Sequence, residues 1–209
     1  MLSIRNSRTR ALDAALELIT RRKGADVSMA EIARASGLSR QGLYLHFPDR
    51  ANLMVALVRH AHEKLVTREP MRSLKGAPTG LVALRIWVSL QARMNPGVWP
   101  VARSLEAVRR SDSDAERAWQ NRQMHRLGEC RQIVKRLHRE GTLKAGITQQ
   151  TAADLLWSIT SLRTWEELVL ERGWTAARYE EQLTQLLSDA LVNDVGNSSV
   201  AGPKGAVRT

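Results

Sequence analysis

The chain has 209 residues, 43% hydrophobic and 25% charged, and its 32 Lys/Arg against 21 Asp/Glu give a net charge of +11. That length buries a substantial core as one domain or two small ones, and the basic balance favours a polyanionic partner. Its single cysteine, Cys130, excludes an intrachain disulfide, and the longest apolar run, Leu81 to Leu90, is cut by Arg85, so a cytoplasmic, unexported protein without a membrane partner is expected.

The apolar spacing predicts helices throughout and no useful strand. A first helix is expected over about 4–23, with Ala11, Ala15, Leu18 and Ile19 on one face. After an irregular Gly24-Ala25-Asp26, Ser28 and Glu31 form a capping box that opens a helix over 28–36. Gly37 suits a left-handed C-cap, and Ser39 is a fresh N-cap for a helix over 39–46. Pro48 stops that helix and Asp49 can cap the next, expected over 49–68 with Leu53, Leu57, Ala61 and Leu65 at four-residue steps. Pro70, Gly76, Pro78 and Gly80 mark a seam. Beyond it, helices are expected near 79–94, 97–109, 113–140, 149–172 and 175–193, with Pro96-Gly97 breaking the first pair. Ser113-x-x-Glu116 reads as another capping box and Trp174-Thr175 as an N-terminal cap. The stretch 194–209 has no periodicity and is expected to be disordered.

A helix, a glycine turn and a second helix carrying Arg40 and Gln41 in its first turn is helix-turn-helix chemistry. Residues 1–75 hold 14 Lys/Arg against 7 Asp/Glu, while 76–209 hold 18 against 14, so the basic excess is densest around this motif. Arginine can bond bidentately to guanine and glutamine to adenine, which makes Arg40 and Gln41 the candidates for base reading.

The stretch Ile32-Ala33, Ala35-Ser36-Gly37-Leu38-Ser39 and Gly42 to Leu53 resembles the DNA-binding motif of the tetracycline-repressor (TetR) family of bacterial regulators. The likeness covers roughly residues 8–55, with a looser similarity around 152–191. Arg50 stands where the family usually has lysine, which keeps the charge. The resemblance implies phosphate contacts from Tyr44, His46 and Arg50, and Ser28 and Ser39 begin helices whose free N–H groups suit phosphate. It further implies a homodimer formed by the last two helices and an effector pocket in the helical bundle.

All six tryptophans lie beyond the seam. Large amphipathic rings there suit a pocket for a small apolar effector. The pocket candidates are Trp87, Met94, Trp99, Met124, Trp157, Ser161 and Trp165, though core packing accounts for any one tryptophan as well. Leu183, Leu187 and Leu191 belong to a stripe at helical spacing and are the dimer-interface candidates, with burial inside the monomer as the competing reading. The nine basic residues between Arg109 and Arg139 read as the solvated face of a long helix, with a second nucleic-acid surface as the alternative. Enzyme signatures are missing, so no catalytic residue and no cofactor are nominated. His125, Glu129 and Cys130 lack a convincing further ligand for a metal.

The sequence therefore predicts an all-α protein: residues 1–50 as a helix-turn-helix domain, a connecting helix over 49–68, and 69–193 as an effector-binding and dimerisation bundle. The expected function is a homodimeric, ligand-responsive transcriptional regulator, a repressor that leaves a palindromic double-stranded DNA operator when its effector binds. The competing function is a helical small-molecule-binding protein whose helix-turn-helix serves protein contact.

Overall fold

In a computed structural model of the chain, residues 2–23, 27–65 and 68–193 are described, apart from the side chains of 2–5, 62, 65 and 68–70. The expected irregular turn at 24–26 and the tail over 194–209 lie outside them, as does the side chain of Leu65. The described elements are α1 (Leu2–Arg21), α2 (Met29–Ser36), α3 (Arg40–His46), α4 (Arg50–Leu65), α5 (Arg68–Lys75), α6 (Gly80–Arg109), α7 (Ser113–Arg139), α8 (Gln149–Ile159), α9 (Leu162–Trp165) and α10 (Ala176–Leu191). A six-residue π-helical stretch, Glu166–Glu171, follows α9. An isolated bridge between Leu143 and Val192 is the β pairing among the described residues.

Several expected boundaries move, and α5 places a helix over Pro70 where the seam was expected to begin. Pro96 and Pro100 lie inside the continuous α6 rather than ending a helix at 94. Each proline removes one backbone donor and crowds the preceding turn. Packing of α6 against α1, α4, α5, α7, α9 and α10 outweighs that local preference. The helix expected over 149–172 is broken instead, because Ser161 caps a new turn through Thr164 N at 3.1 Å. The cap of α7 is Asp112, accepting from Ala115 N at 2.8 Å, so Ser113 is the first helical residue and its expected capping box does not form. Thr175 does cap α10, through Arg178 N at 3.1 Å.

The apolar residues bury in two clusters. Ala11, Ala15 and Ile19 of α1, Ile32 and Ala33 of α2, Leu43 of α3 and Leu53, Met54 and Leu57 of α4 form the first, together with Val101 and Leu105 from the far end of α6. The near end of α6, with Leu84, Trp87 and Val88, joins α7, α8 and α10 in the second. The Asp13 carboxylate of α1 takes His60 Nε2 of α4 at 2.6 Å and also Lys64 Nζ. Partial burial works to raise the Asp13 pKa, yet these two bonds together hold it below its ordinary value. The helix-turn-helix is thereby fastened to α4.

Gly80 opens α6 at its closest approach to α7. Its N–H donates to both Glu140 carboxylate oxygens, at 2.8 and 3.0 Å. A Cβ here would lie 2.8 Å from both Leu137 N and Leu137 Cδ2, whereas one at Gly128 meets nothing within 4 Å. Gly80→Ala is therefore expected to cost about 1–3 kcal/mol. Gly128→Ala, inside α7, is expected to stabilise by roughly 0.5–1 kcal/mol. Urea midpoints that shift in the same direction for both would contradict this packing.

Candidate functional site

The helix-turn-helix is built by its caps. Ser28 Oγ accepts from Glu31 N at 3.3 Å, while Glu31 Oε2 accepts from Ser28 N at 2.9 Å and from Ser28 Oγ at 2.8 Å. Gly37 ends α2 in the left-handed region at φ 69°, where a side chain would be strained. Ser39 Oγ accepts from Gly42 N at 3.0 Å to start α3, and Asp49 Oδ1 accepts from Asn52 N at 2.7 Å to start α4. The two short helices are thus set by side chains within the motif.

One expected phosphate contact changes. Both donors of Ser28, its N–H and its hydroxyl, are taken by Glu31, so any phosphate at the start of α2 would be met by the first N–H groups of the helix rather than by Ser28 itself. The Ser28 N–H, the Arg22 guanidinium at 2.6 Å and the Ser28 hydroxyl hold the Glu31 carboxyl down at about 2. Because the folded value lies below the ordinary 4.5, the box contributes stability above that range and loses it as pH falls through about 2. An NMR titration of the Glu31 carboxyl is expected to give a midpoint near 2. A midpoint at the ordinary value would show that the box is not formed.

On α3, Leu43 is buried while Ser39, Arg40, Gln41, Tyr44 and Leu45 are exposed. Arg40 and Gln41 stand side by side in the first turn with no intramolecular partner among the described residues. The Ser39 hydroxyl keeps its proton free to donate, and Tyr44 is 41% exposed. His46 is half-buried, its ring 6.3 Å from that of Phe47, and Arg50 is half-buried at the start of α4. Leu45 was not singled out from the sequence, yet it is 81% exposed. It sits two residues from the inward Leu43, which turns it to the opposite face of the helix. A large apolar side chain held out from a recognition helix can touch a thymine methyl group.

A second feature is a cavity of about 540 Å³ between α4, α6 and α7. Its apolar walls include Val55, Val58, Trp87, Leu90 and Met94, and its polar groups include Gln91, Arg122, His125 and Arg126. Arg59 and Glu63 are exposed, whereas Gln91 is 7% exposed. Arg126 donates to the Trp157 and Thr160 carbonyls, each at 3.0 Å, and lies over the Trp157 ring at 5.7 Å. Burial first, and then the neighbouring Arg126, lower the Arg122 guanidinium to about 10.

Of the seven pocket candidates, only Trp87 and Met94 line this cavity. The Trp87 indole N–H is already given to Thr160 Oγ1 at 3.1 Å, leaving the ring itself for contact. Trp165 is 2% exposed and packs edge-on against Tyr179 at 4.9 Å. Trp99 carries Arg103 over its ring at 5.3 Å, Trp157 carries Arg126, and Ser161 is spent as a cap. Met124 points outward at 61% exposure. Trp99, Trp157 and Trp165 pack on the second core and Ser161 caps α9, while Met124 stands on the surface of α7.

The dimer candidates are corrected too. Leu183, Leu187 and Leu191 are 3%, 0% and 0% exposed within the protomer's own core. The outward apolar side chains on these last helices are Leu155 of α8 and Leu186 of α10, at 39% and 52% exposure. The basic α7 is likewise not a uniformly solvated face. Arg122 and Arg126 line the cavity, and Arg136 donates to the Leu74, Lys75 and Ala77 carbonyls. Burial raises the Cys130 thiol to about 12, which keeps it protonated and inert. Among the described residues no group of three or more His, Cys, Asp or Glu could hold a metal ion, and no helix is long and apolar enough to cross a membrane.

Residues 11–57 match the family described as bacterial regulatory proteins, tetR family. An uncharacterised helix-turn-helix transcriptional regulator of Mycobacterium tuberculosis is 36% identical over 85 residues, 41% of this chain and 42% of that protein. The chain therefore spans less than half the length of the first curated relatives it matches. A nucleoid occlusion factor of Marinobacter nauticus is 28% identical over 145 residues, 68% of this chain and 71% of that protein. Among solved structures, a transcriptional regulator of Saccharomonospora viridis in complex with choline has a TM-score of 0.77 at 17% identity. That match covers 90% of this chain and 98% of the other.

Proposed function

Given that this chain belongs to the tetR family of bacterial regulatory proteins through its N-terminal domain, we propose that it is a homodimeric transcriptional repressor released from its operator by a small molecule. In this reading residues 1–50 read DNA, α4 connects, and 69–193 bind the effector and dimerise. Arg40 and Gln41 contact base edges, while Ser39, Tyr44, His46 and Arg50 contact phosphate. Leu45 adds an apolar contact to a thymine methyl. Leu155 and Leu186 form part of the dimer face of α8 and α10.

The observation that carries the regulatory part is the double duty of α4. One side of it, Leu53, Met54 and Leu57, is core to the helix-turn-helix unit. Another side, Val55, Val58, Arg59 and Glu63, walls the cavity. Two recognition helices enter successive major grooves only when their separation matches about one helical turn, ~34–36 Å. A ligand that bears on α4 shifts that separation by its differential affinity for the two arrangements.

Titration of labelled duplex DNA over a salt series tests the DNA-binding part. The logarithm of the affinity should fall linearly with that of salt, because phosphate contacts release counterions. Arg50→Ala should reduce the slope by about one per half-site at an unchanged sequence preference. Absent or salt-independent binding would favour small-molecule capture, with the helix-turn-helix serving protein contact.

A further inference from the structure

On the reading that the cavity takes the effector, we propose that this effector is an apolar organic anion whose charged head lies against Arg122 and Gln91. Arg122 lines the cavity, and among the described residues it has no ion-pair partner. One turn further along α7, Arg126 is bound only to neutral groups, the Gln123 side chain and the Trp157 and Thr160 carbonyls. Two guanidinium groups therefore stand on one face of α7 with no carboxylate bound to either. Arg122 stays charged at neutral pH even with its pKa lowered to about 10.

Gln91 lies opposite on α6, only 7% exposed and without a hydrogen-bond partner among the described residues. An amide and a guanidinium that line one cavity without protein partners both offer N–H groups to a ligand there. A carboxylate fits both, taking charge-assisted bonds from the arginine and an N–H from the amide. Other charged groups face the same space. Arg59 and Glu63 stand exposed on α4 and His125 on α7, while Glu129 is half-buried at the other end of the α7 lining. Neither glutamate forms an ion pair among the described residues.

The remaining walls, Val55, Val58, Trp87, Leu90 and Met94, are apolar, so the ligand needs an apolar body behind its head. A volume of about 540 Å³ suits a molecule of ordinary metabolite size. Quaternary ammonium is disfavoured, because it would meet two guanidinium groups and a single aromatic ring rather than a cage of rings.

A matched pair of dyes tests this on the full chain. 1-Anilinonaphthalene-8-sulfonate and N-phenyl-1-naphthylamine share their rings and differ by the anionic group. The anionic dye should bind at least about tenfold tighter to the parent protein. That advantage should vanish in Arg122→Gln and survive in part in Arg122→Lys. Apo Arg122→Gln should melt no lower than the parent, since the guanidinium it removes is unpaired, and this separates a binding role from a structural one. Decanoate should displace the anionic dye where inorganic phosphate at the same concentration does not. Equal affinities of the two dyes, an advantage unchanged by Arg122→Gln, or displacement by phosphate as readily as by decanoate would each overturn the proposal. Arg122-dependent displacement by decanoate that leaves DNA affinity unchanged would uphold the anion site and sink effector-controlled repression.

Discussion

Leu187→Asp is expected to abolish folding, whereas Leu155→Glu combined with Leu186→Glu is expected to leave a folded monomer that has lost operator affinity. Leu187 is fully buried on the inward face of α10. Truncating such a leucine costs about 2–5 kcal/mol, and an unpaired buried carboxylate adds several kcal/mol more. Net stabilities run only to about 5–15 kcal/mol, so the fold does not survive the change. Leu155 and Leu186, at 39% and 52% exposure, carry no such load within the protomer. Their replacement should alter monomer stability by about 0.5 kcal/mol or less each. Placing like charges across a self-complementary interface opposes pairing directly. Circular dichroism and light scattering separate the outcomes. A double variant that remains dimeric at micromolar concentration would move the interface away from these two side chains.

Arg40→Ala and Gln41→Ala are each expected to lose roughly 1–3 kcal/mol of discrimination at one or two base pairs. Both side chains leave the first turn of α3 unpartnered, next to the cap made by Ser39. A bidentate contact to a base edge disappears when the side chain is cut to Ala, and no other exposed group in that turn replaces it. Affinity for random DNA should fall much less, because the phosphate contacts remain. Equal losses on the operator and on random duplex would show that the two residues touch only the backbone.

The elements legible in the sequence were those encoded within a few residues. The Ser28–Glu31 box, the left-handed Gly37 and the Ser39 and Asp49 caps are local hydrogen-bond patterns, and they formed as spacing alone implied. Ser28 shows the limit of that reading, since spacing alone did not show that the box takes up both of its own donors. Pro96 reads as a break until α6 is seen packed on six other helices. The stripe on α10 showed that one face is apolar but not what that face meets, and periodicity is the same for a core and an interface. Tryptophan count located the bundle, but which rings border open space depends on long-range packing. The cavity's arginines were hidden in the sequence by their setting in a run of nine basic residues from Arg109 to Arg139. Leu45 carried one local signal, an apolar residue out of phase with Leu43 on a short polar helix.

The most direct test of a two-fold, sequence-specific regulator is selection of bound sequences by the purified protein from a pool of random duplexes. The expected result is enrichment of an inverted repeat whose half-site centres lie about one helical turn, or a multiple of it, apart. The information within each half-site should drop at the positions lost in Arg40→Ala and Gln41→Ala. A pool that stays random, or that yields a single unrepeated element bound by a monomer, would contradict it.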